Sequence, residues 1–171
     1  MRQEQKEKVF TEMIGEYKDK IFRLCYANLY NKADADDLFQ EVMYNVWNNI
    51  EKYRNESSLS TWVYRITVNT ALLFNKRNTR KNRIFRSKDT QELDQYTFQS
   101  DVSSTKGGEE LEQLYKFIDT LKPQDKLIVT LLLEGISYEE IGEVVGISSN
   151  YVGVKINRIK SALAKLFREE Q

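Results

Sequence analysis

Ile136-Ser137-Tyr138-Glu139-Glu140-Ile141-Gly142-Glu143-Val144-Val145-Gly146-Ile147-Ser148-Ser149-Asn150-Tyr151-Val152-Gly153-Val154-Lys155-Ile156-Asn157-Arg158-Ile159-Lys160 carries two short helical patterns that meet at a glycine. This is the pattern of a helix-turn-helix. The first helix needs a small residue where its partner crosses, and Gly142 supplies it. Gly146 suits the turn, and Ser148 or Ser149 can cap the second helix. Ile141, Val145, Ile147, Val152 and Ile156 are spaced to plug the crossing. With those inward, Asn150, Tyr151, Val154, Lys155, Asn157 and Arg158 project outward, and Ser149 to Lys155 form the end that enters a groove deepest. Asn and Arg read base edges, and Lys and Arg pair with phosphates. From Val144 onward no acid occurs until Glu169. A packed helical hairpin with a solvated basic face would carry the same pattern. Gly153, inside the second helix, costs about 1 kcal/mol relative to Ala; a close approach to DNA is one reason to keep it.

The chain as a whole has 171 residues, enough for one domain or two small ones. Twenty-six basic residues balance 26 acidic ones, but the charge is segregated. From Asn75 to Lys88, Lys76, Arg77, Arg80, Lys81, Arg83, Arg86 and Lys88 occur with no acid. From Asp89 to Glu112 seven acids face Lys106 alone. There is no histidine and a single cysteine, Cys25. A Cys/His zinc site, an intramolecular disulfide and a histidine-based catalytic centre are therefore excluded. The sequence predicts no metal, no cofactor and no enzyme. Cys25 sits on a helical pattern with Ile21 and Leu24 and reads as a buried thiol. The N-terminus has no apolar core, and the run Leu127 to Leu133 is too short to span a bilayer. The expectation is a cytoplasmic protein without membrane insertion.

Helical spacing dominates the rest. Phe10, Ile14, Tyr17, Ile21 and Leu24 mark a first helix. Asp34 can cap a second, striped by Leu38, Phe39, Val42, Val46 and Ile50 and ending near Tyr53. Ser60 can cap a third, with Trp62, Val63, Ile66, Thr70 and Leu73 on one side. Pro123 fits the first turn of a helix that stops at Gly135. The predicted fold is all-α: a domain over 1–86, a flexible acidic linker over 87–108 and a domain over 109–171 that contains the helix-turn-helix.

Asp34, Asp36, Asp37 and Glu41 crowd the start of the second helix, where acids favour the helix dipole; they also suit a protein-docking face. Trp62, Tyr64 and Arg65, followed by Lys76, Arg77, Arg80 and Lys81, interleave aromatics with cations. That mixture suits unpaired bases, and equally a core tryptophan beside a basic helix end.

Asp34-Ala35-Asp36-Asp37-Leu38-Phe39-Gln40-Glu41-Val42, followed by Trp47, resembles region two of bacterial sigma factors. Ser58-Leu59-Ser60-Thr61-Trp62-Val63-Tyr64-Arg65-Ile66, with Asn69, resembles the segment just after it, and Leu121-Lys122-Pro123 through Lys160 resembles region four. With no domain between them, the combination resembles the extracytoplasmic-function group of sigma factors. The resemblance implies that Asp36, Asp37, Gln40 and Glu41 dock on core RNA polymerase. It implies that the loop Asn55 to Ser60 and the helix after it read a melted minus-ten element: Asn55, Ser57, Ser58, Ser60, Trp62, Arg65 and Asn69, with Lys76, Arg77 and Arg80 beyond. It implies that Ser149, Asn150, Tyr151, Val154, Lys155 and Arg158 read the minus-thirty-five duplex. Many such factors are held inactive by an anti-sigma factor, which would be a further partner. Two departures stand out. Leu73-Phe74-Asn75-Lys76-Arg77 replaces an acid and an arginine pair, and Tyr151-Val152-Gly153-Val154-Lys155 replaces a common Thr-Val-Lys-Ser-Arg.

About two duplex turns would put the two promoter elements roughly 55–70 Å apart. A linker of about 22 residues reaches at most roughly 75 Å, against a relaxed span of about 25 Å. Bridging therefore requires it extended, and its acids would suit a positively charged polymerase channel. The competing readings are a stand-alone helix-turn-helix regulator, which would need to dimerise on two half-sites, and a helical adaptor that binds only protein.

Overall fold

A computed structural model describes residues 3–86 and 106–169. They form seven α-helices and no strand: α1 (Gln3–Leu29), α2 (Lys32–Asn49), α3 (Leu59–Arg86), α4 (Lys106–Asp119), α5 (Pro123–Leu133), α6 (Tyr138–Val145) and α7 (Ser149–Glu169). A single 3₁₀ turn, Ile50–Lys52, follows α2. The all-α expectation with two helical units holds. The predicted linker lies outside the described residues except at its end, because Lys106, Gly107 and Gly108 already belong to the first turn of α4.

The helix ends follow local chemistry, with two corrections. Asn31, not Asp34, caps α2, because its side-chain oxygen accepts from the Asp34 amide at 3.0 Å. An N-cap must precede the amide it satisfies by about three residues, and Asp34 already lies inside the helix. Likewise Ser58, not Ser60, caps α3 by accepting from the Thr61 amide at 3.1 Å. Pro123 opens α5, and Gly135, at φ 80°, ends that helix with the amides of Gly135 and Ile136 returning to Leu132 and Leu131. Tyr30 is a non-glycine residue with positive φ, 50°, just past α1. Its ring stacks on Tyr115 of α4, an apolar contact that offsets the backbone cost.

α1, α2 and α3 pack side by side, joined by Leu24, Leu38, Val42, Val46, Val63 and Val68, all buried. The buried stripe of α3 differs from the predicted one. Val63, Tyr64, Thr67, Val68, Ala71 and Phe74 are inside, whereas Leu73 is 59 % exposed. The reason is that α3 meets α1 and α2 on one side and α5 and α6 on another, which widens its buried arc beyond a single stripe. Asn28 and Asn75 exchange two amide hydrogen bonds of 3.1 Å, fixing α1 against α3. Cys25 is fully buried, as expected, and burial pushes its thiol up to about 12.

The two units are not apart. α1 packs on α4 and α5, and α3 packs on α5 and α6. One apolar cluster draws on both units, from Tyr17, Leu24 and Tyr64 to Leu127, Leu131 and Ile141.

Candidate nucleic-acid interface

The helix-turn-helix is built as its sequence requires. Ser137 caps α6 and Gly146 ends it at φ 78°. Gly142 is where α6 and the turn touch: a Cβ there would lie 2.6 Å from the Ile147 carbonyl oxygen, which no side chain tolerates. Ser148, the residue before α7, caps it through the Tyr151 amide at 3.2 Å. Ile141, Val152 and Ile156 are fully buried at the crossing, with Val144 added and Val145 and Ile147 partly covered.

The face left over on α7 is a stripe at helical spacing. Asn150, Tyr151, Val154 and Arg158 are all exposed, Tyr151 and Val154 at 44 % each. Ser149 is half-buried in the first turn. Lys155 is different. Its ammonium donates to Asp125 of α5 at 2.8 Å and lies 5.3 Å from the centre of the Tyr151 ring, leaving the side chain 16 % exposed. It holds α7 to α5 rather than pointing into open solvent. Gly153 faces the Tyr138 ring, with room for a Cβ at an ordinary 3.5 Å, so it does not mark the DNA-facing side.

In the first unit, the loop before α3 turns at Asn55, at φ 57°, and is braced by the Tyr53 hydroxyl donating to the Ser57 carbonyl at 2.8 Å. Ser58, Ser60 and Thr61 share a hydroxyl cluster with 2.8 Å contacts. The Trp62 ring lies 5.4 Å from that of Tyr53. Beside them opens a cavity of about 390 Å³, lined by Lys52, Tyr53, Arg54, Glu56, Ser57, Trp62, Arg65 and Glu143. Two aromatic rings and three cations border it, with the acids Glu56 and Glu143 among them, and such rings can stack an unpaired base. Sequence reasoning missed Tyr53 and Arg54 there; an aromatic just before the polar loop was the available signal. Tyr64, by contrast, is 1 % exposed against Tyr17 and cannot stack on a base in this arrangement.

Asn69, Lys76, Arg77 and Arg80 continue along exposed α3, away from the cavity. Arg77 is engaged: one of its terminal nitrogens donates to both Glu41 oxygens, at 2.7 and 2.6 Å. Thus Glu41, expected on the docking face, is half-buried and tied across to α3, while Asp36, Asp37 and Gln40 stand free on α2. Asp34, Asp37, Glu41, Arg77 and Lys81 flank a second hollow of about 470 Å³.

Among the described residues no cluster of acids and cysteine is placed to hold a metal ion, and no helix is long and apolar enough to cross a membrane.

Residues 13–81 match the sequence family described as Sigma-70 region 2, and residues 111–163 match Sigma-70, region 4. The chain is 30% identical to the ECF RNA polymerase sigma-E factor of Haemophilus influenzae, over 91% of this chain and 86% of that protein. It is 28% identical to the ECF RNA polymerase sigma factor SigW of Bacillus subtilis, over 94% and 89%. Among solved structures, the sigma factor RpoE of Bartonella quintana, in complex with the anti-sigma factor NepR, is similar at a TM-score of 0.76, covering 96% of this chain and 99% of that one at 16% identity. CnrH, in complex with the cytosolic domain of CnrY, is similar at 0.68, over 96% and 91%, at 15% identity. At these identities the structural likeness speaks for the fold.

Proposed function

The chain belongs to the extracytoplasmic-function sigma factors of RNA polymerase, and from there we propose how its faces divide the work. A sigma factor of this group directs promoter-specific transcription initiation and is not itself an enzyme. The first unit, residues 1–86, docks on core RNA polymerase and reads the minus-ten element. The second, residues 109–171, reads the minus-thirty-five element, and residues 87–108 join them.

Asp36, Asp37 and Gln40 form the docking face on α2, with Glu41 holding α2 to α3 beside them through Arg77. The cavity of about 390 Å³ at Tyr53, Trp62 and Arg65 takes an unpaired minus-ten base, supported by Asn55, Ser57, Ser58 and Ser60. Capturing a flipped base offsets a few kcal/mol of unstacking. Asn69, Lys76 and Arg80 carry the strand onward along α3. Asn150, Tyr151, Val154 and Arg158 enter the major groove, with Ser149 at the phosphate backbone. Core polymerase and promoter DNA are therefore the partners, and the cytoplasm, where the chromosome lies, is the place of action. An anti-sigma factor is a further partner class, by likeness to the neighbour solved with NepR.

The observation that carries this reading is the pairing, in one chain, of a base-sized aromatic cavity with a separate exposed recognition stripe. A stand-alone regulator needs only the second. Run-off transcription with purified core tests it: the chain should direct initiation from a defined set of promoters. Failure both to bind core and to start any transcript overturns the reading.

A further inference from the structure

The first two turns of α7 are an odd surface for reading DNA, because their one cation is already engaged. Ser149 is half-buried, Val152 is buried in the crossing, and Gly153 faces the Tyr138 ring. Lys155 is spent on Asp125 at 2.8 Å. What these turns expose is one amide, Asn150, and two largely apolar side chains, Tyr151 and Val154. Exposed cations come only further on, at Arg158 and Lys160.

Tyr151 and Val154 are three residues apart, so their side chains adjoin on one face, with Cβ atoms about 5–6 Å from each other. Each is 44 % exposed. A lone apolar residue on a surface needs no explanation, but this pair forms the middle of the stripe Asn150, Tyr151, Val154, Arg158. Both side chains are held still. Val154, branched at Cβ, keeps essentially one rotamer in a helix. The Tyr151 ring lies 5.3 Å from the Lys155 ammonium, which Asp125 anchors in turn, and the Tyr151 amide is tied to the Ser148 cap at 3.2 Å. Little side-chain freedom is left to lose on binding. No acid occurs from Val144 until Glu169 to repel a duplex.

In the major groove, thymine alone among the bases presents a methyl group. A methyl set against Val154 and the Tyr151 ring leaves water on meeting an apolar surface. Cytosine in its place would bring an amino donor to a patch that cannot accept from it, and the unpaired donor is costly. Guanine is matched by Arg or Lys, and the stripe has neither before Arg158. The Asn150 amide matches the paired donor and acceptor of adenine.

We infer that the recognition helix selects its duplex through thymine methyl groups packed on Val154 and Tyr151, with Asn150 on a neighbouring adenine. Arg158 and Lys160 supply the charge that holds the helix to the phosphates. The inference rests on the assignment of α7 to the minus-thirty-five duplex and names the groups it reads there.

The test replaces thymine by deoxyuridine, which removes the methyl and keeps every hydrogen-bonding group. The full-length chain, alone and on core polymerase, first selects duplexes from a randomised library. Each thymine of the enriched duplexes is then changed singly, and affinity is read by fluorescence anisotropy at fixed salt. At one or two adjacent thymines the change should weaken binding about fourfold, the worth of one buried methyl. Val154→Ala should erase the difference between thymine and deoxyuridine at one of these positions, and so should Tyr151→Ala. Arg158→Ala should weaken both duplexes alike and leave their ratio unchanged. Val154 and Tyr151 are exposed, so the variants should keep the fold, which circular dichroism checks. The inference is overturned if no duplex is enriched, if the enriched duplexes share no thymine, or if deoxyuridine has no effect at any of them. A ratio that Val154→Ala or Tyr151→Ala leaves intact throughout overturns it as well. Run-off transcription by the wild type is measured alongside. Its failure would count against the proposed function and leave the deoxyuridine ratio to judge the readout.

Discussion

Lys155 of the recognition helix donates to Asp125 of the preceding helix at 2.8 Å, so a cation that the sequence aims at DNA is spent inside the protein. Arg158, one turn further on, is exposed. The two should separate cleanly by mutation. Arg158→Ala should weaken binding to a minus-thirty-five duplex and reduce the slope of log affinity against log salt by about 1. Lys155→Ala should leave that slope nearly unchanged and lower stability instead, by about 1 kcal/mol, since the pair is mostly shielded. Salt titrations of DNA binding and urea melts read the two effects.

Gly142 and Gly153 lie on adjacent helices and should respond oppositely to the same change. Gly142→Ala drives a methyl group against the Ile147 carbonyl and should destabilise the second unit by more than about 2 kcal/mol, or spread the crossing and abolish duplex binding. Gly153→Ala meets only ordinary contact with Tyr138 and should stabilise α7 by up to about 1 kcal/mol. Its DNA affinity should hold; a large loss would restore the reading of Gly153 as a point of close approach to DNA.

In the proposed function, Trp62 and the stripe on α7 act on different promoter elements. Trp62→Ala should cost roughly 1–3 kcal/mol in binding a single-stranded minus-ten oligonucleotide and nothing in binding a minus-thirty-five duplex. Loss of both together would mean that the substitution collapses the packing against Tyr53 rather than removing a stacking platform.

Burial raises the Tyr17, Tyr26 and Tyr64 hydroxyls and the Cys25 thiol to about 12 each. For a group whose folded value lies above its unfolded one, stability is fully present below the unfolded value and is lost as pH climbs to the folded one. The chain should therefore hold its stability up to about pH 9 and lose it progressively toward pH 12. Urea melts across that range check the slope. Cys25 should resist thiol reagents at neutral pH until the chain unfolds, since it is the thiolate that reacts.

The helix count, the helix-turn-helix and its two glycines were legible because each rests on local chemistry. Gly142 and Gly146 serve contacts a few residues away, and Pro123 and Gly135 mark ends that any helix needs. The caps slipped by a few residues at Asn31 and Ser58 because several polar residues cluster at each helix start and only one lies at the right offset. The long-range pairs were not legible. Nothing local to Arg23 names Glu134, 111 residues away, and nothing local to Arg77 names Glu41. Both pairs convert expected surface charges into structural ones. Tyr64 shows the same limit: beside Trp62 and Arg65 it reads as part of a base-binding group, and only the packing of α6 and α1 around α3 buries it.

The shared apolar cluster carries a consequence for the life of the protein in a crowded cell. Leu127, Leu131 and Ile141 belong to the same buried patch as Tyr17, Leu24 and Tyr64, so parting the units bares grease on both halves. A chain whose units had parted would be a target for chaperones, proteases and its own kind. Severed within residues 87–105, the two halves should still seek each other out in a lysate, which makes this chain a natural starting point for a split reporter. Keeping the two units packed thus also keeps this apolar surface away from water.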